Sequence, residues 1–187
     1  MLISTLIASA MFIGSTQSSH LPSEISQCGT QLCVLGVSAG TSLWSQVNRL
    51  SGSQHDTLFL KFQVIITTHN QTQISFLSPT YYGDSETDST VPRIELTFSR
   101  ADQSLLGDWL VRYGIPCAVN INPSLNQLNL SYPEFMLNVV MPKDGYLSTA
   151  TIVDWAMFSR ISCPALPANW SKRWYGFLNG PTYYRHK

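Results

Sequence analysis

The stretch TLFLKFQVIITT, from Thr57 to Thr68, decides how the rest of this chain is read. Leu58, Leu60, Phe62, Val64 and Ile66 recur at every second position, Lys61, Gln63 and Thr67 fall between them, and Phe59 and Ile65 are the exceptions. Side chains of a strand point alternately to opposite faces, so this spacing predicts one long strand buried mainly on one face. The pattern returns in Thr72 to Ser78, with Ile74 and Phe76, and in Arg93 to Ser99, with Ile94, Leu96 and Phe98 opposite Arg93, Glu95 and Thr97.

Further strands are expected in Pro116 to Asn122, Gln127 to Tyr132 and Phe135 to Met141. A last one opens at Leu147 and places Thr149, Thr151, Val153 and Trp155 on one face. Turn-forming residues punctuate the series at Gly83-Asp84, Asn122-Pro123, Tyr132-Pro133 and Pro142-Lys143-Asp144-Gly145. Two short helices fit between strands: one capped by Thr41 or Ser42 with Leu43, Val47 and Leu50 on one side, and one over Ala101 to Leu110 despite Gly107. The stretch from Thr80 to Val91, with Asp84, Glu86 and Asp88, reads as an exposed loop. Many strands and few helices predict an all-β, antiparallel, eight-stranded jelly-roll β-sandwich with short loop helices and extended termini. Leu58, Leu60, Phe62, Ile94, Leu96, Leu128 and Val153 are its expected core.

A chain of 187 residues fits one domain. Its 44% hydrophobic content supports a core, whereas 12% charged residues leave little to solvate the exterior, and a surface so poor in charge usually meets another protein. Eleven basic residues balance eleven acidic ones, which argues against nucleic-acid binding through a chain-wide positive field. No Lys or Arg precedes Arg49, so there is no basic arm to neutralise packaged phosphates. Met1 to Gly14 is apolar but carries no positive side chain at its start, and it reads as an arm for a neighbouring subunit or as a cleaved signal. It is shorter than the roughly 20 residues of a spanning helix, so no membrane span is expected. Cys28, Cys33, Cys117 and Cys163 are too few for a disulfide scaffold and are read as buried free thiols.

Gly36-Val37-Ser38-Ala39-Gly40 matches G-x-S-x-G between an apolar strand, Leu32 to Leu35, and a possible helix. A hydrolase elbow also needs a parallel sheet and an oxyanion loop from an earlier strand, and too little chain precedes Ser38 to supply them. No second close ligand pair accompanies the C-x4-C of Cys28 and Cys33, no phosphate-binding glycine loop is present, and Asp84 to Asp88 lacks the glycine and distal glutamate of a calcium loop. Catalytic residues, metals and cofactors are therefore not expected. At the C-terminal end, Trp170, Lys172, Arg173 and Trp174, then Tyr183, Tyr184 and Arg185, interleave cations with aromatics. Such residues stack on bases while meeting phosphate, or dock on a protein neighbour, and the low overall charge favours docking. Asn70-Gln71-Thr72, Asn129-Leu130-Ser131 and Asn169-Trp170-Ser171 are glycosylation sequons, which matter only in a secreted chain.

HDTLFLKFQVIITTHNQTQISFLSP (His55 to Pro79), LNLSYPEF (Leu128 to Phe135) and GYLSTATIVDWAMFSRIS (Gly145 to Ser162) resemble, in pattern and order, the jelly-roll coat proteins of picorna-like viruses. Small size and the missing basic arm look most like the plant secovirids, among which cheraviruses use three small coat proteins. The resemblance implies a structural capsid protein with an N-terminal arm over 1–30, a jelly-roll domain over 31–163 and a C-terminal extension over 164–187. Its implied partners are copies of itself and other capsid proteins, with local contact to genomic RNA, and its implied places are the virion and the host cytoplasm during assembly. The alternative is a secreted or surface β-sandwich that binds a protein or glycan. That reading predicts a mature N-terminus near Ser15 to His20, occupied sequons and room for a Cys28 to Cys33 disulfide.

Overall fold

The computed structural model describes residues 21–50, 56–60, 63–68, 70–77, 89–99, 104–122, 126–142, 146–159, 163, 174 and 176–177. The first described elements form a small hairpin, β1 (Ile25–Cys28) against β2 (Gln31–Val34), a sheet of its own among the described strands. Helix α1 (Trp44–Leu50) follows. The main sheet is built from β3 (Asp56–Leu60), β4 (Gln63–Thr67), β5 (Gln73–Leu77), β6 (Arg93–Thr97), the short β7 (Ser104–Leu105), β8 (Ala118–Asn122), β9 (Gln127–Ser131), β10 (Phe135–Val140) and β11 (Ile152–Phe158). Helix α2 (Leu106–Tyr113) leaves directly from β7.

All pairings in this nine-stranded sheet are antiparallel, in the order β3-β4-β5-β6-β11-β10-β9-β8, with β7 against β11. It consists of two meanders, β3 to β6 and β8 to β11, joined where β6 meets β11. Among the described residues, the mostly β, antiparallel class with two short helices agrees with the sequence reading. A jelly roll instead nests its pairs through long connections between two sheets, and that order is not found among the described strands. Short connections keep successive strands adjacent, as where Leu60 pairs with Gln63 and where Tyr132 N donates to Phe135 O (2.8 Å) across Pro133-Glu134.

The register explains the core. One row crosses the sheet from Ile66 through Ile74, Leu96, Ala156, Leu137 and Leu130 to Val119, and a second runs from Val64 through Phe76, Ile94 and Phe158 to Phe135. Every member of both rows is buried. Each fully buried Val, Leu, Ile or Phe contributes roughly 1.5–3 kcal/mol. Trp44 and Val47 of α1, and Leu106 and Trp109 of α2, join the same cluster, so the helices pack on this apolar face. Trp109 is fully buried, and its indole Nε1 donates to Ser104 Oγ at 2.6 Å.

Four expectations need correction. The single strand over Thr57 to Thr68 is two antiparallel strands, β3 and β4, because the chain doubles back between Leu60 and Gln63, which pair with each other. Leu58 is consequently 55% exposed, not core, while Ile94, Leu96, Leu128 and Val153 are buried as expected; the side chains of Leu60 and Phe62 lie outside the described residues. The last strand starts at Ile152, and its alternation breaks at Asp154, the extra residue between the Trp155–Asn138 and Val153–Val139 pairs. Val153 therefore faces the core while half-buried Trp155 belongs with the opposite row. The second helix covers 106–113 rather than 101–110. In the first helix, Trp44 and Val47 form the buried face, and Leu43 is 41% exposed.

All four cysteines are also paired, against the expectation of free thiols: Cys28 with Cys33 and Cys117 with Cys163, at Cα separations of 5.8 and 6.1 Å. The first pair is closed by the tight β1–β2 hairpin. The second joins the entry of β8 to the chain beyond β11, two points distant in sequence that lie at the same end of the main sheet. No helix among the described residues is long and apolar enough to cross a membrane.

Candidate ligand cleft

The chemistry-bearing residues converge where the β1–β2 hairpin, the end of α2 and the β9–β10 turn meet. The three enclose a cleft of about 650 Å³, within the size range of small-molecule sites. Each wall follows from local sequence. The Cys28–Cys33 bond closes the hairpin across Gly29, whose φ of 65° suits a residue without a side chain. Tyr132-Pro133-Glu134-Phe135 makes a two-residue turn that projects Glu134 towards β2, and Leu32 N donates to Glu134 Oε2 at 3.0 Å. Helix α2 ends at Gly114 (φ 75°), whose N–H donates to Leu110 O, and this places Arg112 and Tyr113 at the cleft rim.

Aromatic rings form the floor. Tyr132 and Phe135 stack at 4.3 Å with 12° between their planes, and Tyr113 meets Phe135 edge-on at 4.9 Å. Trp109 stands behind them, 5.4 Å from Phe135 and 5.5 Å from Tyr113. Tyr132 and Phe135 are nearly inaccessible, whereas Tyr113 is half-buried and keeps part of its surface at the opening. Burial pushes the Tyr113 hydroxyl above the usual tyrosine range; the neighbouring Arg112 guanidinium opposes this and the Glu134 carboxylate adds to it. Tyr132 is shifted up strongly by burial alone, and its hydroxyl donates to Gly114 O at 3.1 Å. Both phenols are neutral hydrogen-bonding groups at ordinary pH.

The hairpin lip is polar without being charged: Ser23, Ser26, Gln27, Thr30 and Gln31 line it, beside the apolar Leu21, Ile25 and Leu32. Ser26 Oγ lies 3.1 Å from Cys33 Sγ, and because that sulfur carries no proton in the disulfide, the hydroxyl is the donor. Arg112 and Glu134 are the cleft's one cation and one anion among the described residues.

The sequence did not mark these residues out. Of the expected interface residues only Trp174 is described; it is half-buried, packs against the core of its own chain and meets Phe177 edge-on at 6.0 Å. Trp170, Lys172, Arg173, Tyr183, Tyr184 and Arg185 lie outside the described residues, as do Met1 to Gly14 and Asp84 to Asp88. At the start of the G-x-S-x-G match, Leu35 (φ 51°), just before it, and Gly36 (φ 79°) form a tight reversal in which Val34 and Val37 exchange backbone hydrogen bonds of 2.9 and 3.0 Å. Gly36 thus serves a hairpin-type turn. Ser38 beyond it is 5% exposed, with its N–H donating to Ser42 Oγ at 2.9 Å. No group of three His, Cys, Asp or Glu side chains among the described residues could hold a metal ion. Tyr113 and Glu134 could have been found only through the Tyr132-Pro133 turn signal, which places Glu134 at a hairpin tip without saying what the tip faces.

No protein-family model matches the chain, and no curated protein matches it. Among solved structures it is similar to a DUF4309 family protein from Bacillus subtilis, with 14% identity over 67% of this chain and 84% of that one and a TM-score of 0.38.

Proposed function

We propose that this chain is a secreted or cell-surface β-sheet domain that binds a ligand in the cleft between the β1–β2 hairpin and α2. The pairing of all four cysteines carries this reading. Disulfides persist in oxidising compartments and are rare in the cytosol, where thiols are kept reduced. One of the two bonds closes the lip of the cleft, which ties the oxidised state to the formed site. Residues 1 to about 20, with the apolar stretch Met1 to Gly14, serve as the cleaved signal in this reading. Of the sequons, Asn70 is exposed at the β4–β5 turn, whereas Asn129 lies within β9 and accepts a hydrogen bond from Asn138 Nδ2 at 2.7 Å. A glycosylating host would therefore modify Asn70 in preference to Asn129.

The test is mass spectrometry of the native protein with thiol alkylation before and after reduction, together with sedimentation. The expected result is a mature N-terminus near Ser15 to His20, no alkylation without reduction, and a monomer or small oligomer. An N-terminus at Met1 with freely alkylated thiols would overturn the proposal.

The capsid reading remains the second, favoured by one observation: β3 and β8 are both end strands of the main sheet among the described strands, and an open edge can pair with another chain. It requires a jelly-roll topology, and the meander order weighs against it. Sedimentation of the same native material as an RNA-containing particle with other small proteins would establish it in place of the secreted module.

A further inference from the structure

We infer that the cleft ligand is a neutral sugar unit of a glycan, held by stacking on Tyr113 and by hydrogen bonds to the hairpin lip; this deepens the binding-domain reading and rests on it. The first argument is charge. Arg112 and Glu134 face the same space, so the cleft offers neither the cationic surplus an anionic ligand needs nor the anionic surplus a cation needs. The second is the type of polar group. Gln27 and Thr30 carry groups that both donate and accept, as sugar hydroxyls do. Ser26, whose hydroxyl donates to Cys33 Sγ, offers an acceptor, and Gln31, whose Oε1 accepts from Thr41 Oγ1 at 2.9 Å, offers its amide N–H donors. The third is the half-buried Tyr113 ring, backed by Trp109 and Phe135, which presents a fixed apolar surface to the C–H face of a pyranose.

An extended peptide is the main competitor for a neutral cleft beside a hairpin. It would bind by adding a strand to a backbone edge. On the β2 edge, however, Leu32 N is already donated to Glu134 Oε2, so that edge lacks a free amide at the centre of the lip. Recognition then falls to side chains, which suits a polyol better than a peptide backbone.

The experiment uses the full mature chain with intact disulfides. Nitrogen–proton correlation spectra and intrinsic fluorescence are recorded during titration with neutral α- and β-linked oligosaccharides of glucose, mannose, galactose and N-acetylglucosamine. Parallel titrations use sulfated and carboxylated glycans, and neutral extended peptides. The expected result is saturable binding of at least one neutral sugar series with a Kd below about 1 mM, with shifts at the Leu32 amide and a change in emission from Trp109 beside Tyr113. Tyr113→Ala should weaken binding at least tenfold and Tyr113→Phe only a few-fold, since the ring remains. Gln27→Ala, at an exposed lip position, should weaken binding several-fold without touching the core, and Val111→Ala, 76% exposed, should leave affinity unchanged.

If a peptide or a charged glycan binds at these residues and neutral sugars do not, the sugar assignment fails while the binding domain stands. If a folded, oxidised chain shows no shift at the cleft with any series, both fail. If neutral sugars bind but Tyr113→Ala and Gln27→Ala keep wild-type affinity, the site assignment is wrong.

Discussion

Two residues show how closely local chemistry is set here. Gly107 counts against a helix by propensity, yet α2 needs it: a Cβ there would lie 2.8 Å from Thr149 Cβ and 2.9 Å from Thr149 O. The approach is fixed from both sides, because Gly107 N donates to Thr149 O (2.9 Å) and Leu106 N to Thr151 O (2.8 Å). Gly107→Ala should therefore destabilise the fold by about 1–3 kcal/mol through overpacking, despite the better helix propensity of alanine; urea unfolding measures it, and an unchanged midpoint would refute the close contact. Tyr132 gives a pH prediction. Its proton is held more firmly in the folded than in the unfolded chain, so above the ordinary tyrosine pKa of about 10 the folded state binds more protons and stability falls as pH rises. The contribution is complete below pH 10 and is lost above it. Tyr132→Phe should lose about 1 kcal/mol at neutral pH with its hydrogen bond to Gly114 O, and should show a shallower alkaline decline. Unfolding midpoints taken on both sides of pH 10 check both statements.

At the scale of elements, the β1–β2 hairpin is the vulnerable part. Two four-residue strands are not stable alone, and among the described residues this pair has no ladder to the main sheet. Leu21, Ile25 and Leu32 pack on the core, and the bond from Leu32 N to Glu134 holds the lip. Glu134→Ala should raise amide exchange at Leu32 by roughly 10–100-fold, as expected for loss of a charge-assisted bond of about 1.5–3 kcal/mol, with little change in β9 and β10; uniform protection across the hairpin would refute its role. Period-two alternation in β4, β5, β6, β9 and β10 was legible in the sequence because each packs one face on the core. The reversal between Leu60 and Gln63 was not, since the apolar alternation of the sequence runs on from one to the other without Gly, Pro, Asn or Asp. The bulge at Asp154 was equally silent: its carbonyl accepts from Phe98 N at 3.1 Å, a partner distant in sequence.

At the scale of the molecule, the order of strands decides what the cysteines do, and for that reason their pairing escaped the sequence. Spacing made a Cys28–Cys33 bond conceivable, but nothing local brings Cys163 to Cys117: Cys117 precedes β8 and Cys163 follows β11 at the same end of the main sheet, with β10 and β9 between those strands. The two bonds should differ in their effect. Cross-linking residues five apart removes less chain entropy from the unfolded state than cross-linking residues 46 apart, with expected stabilisation of about 2 and 4 kcal/mol respectively. Paired substitution Cys117→Ala with Cys163→Ala should thus lower global stability by about 4 kcal/mol while leaving the cleft formed in the molecules that remain folded. Cys28→Ala with Cys33→Ala should cost only about 2 kcal/mol globally, yet weaken ligand binding, because the cut falls in the lip itself. Chemical denaturation and titration of both double variants separate the two effects. Equal losses of stability would argue against the entropic account, and wild-type affinity without the Cys28–Cys33 bond would mean that Glu134 and the apolar contacts of the hairpin hold the lip in place without it.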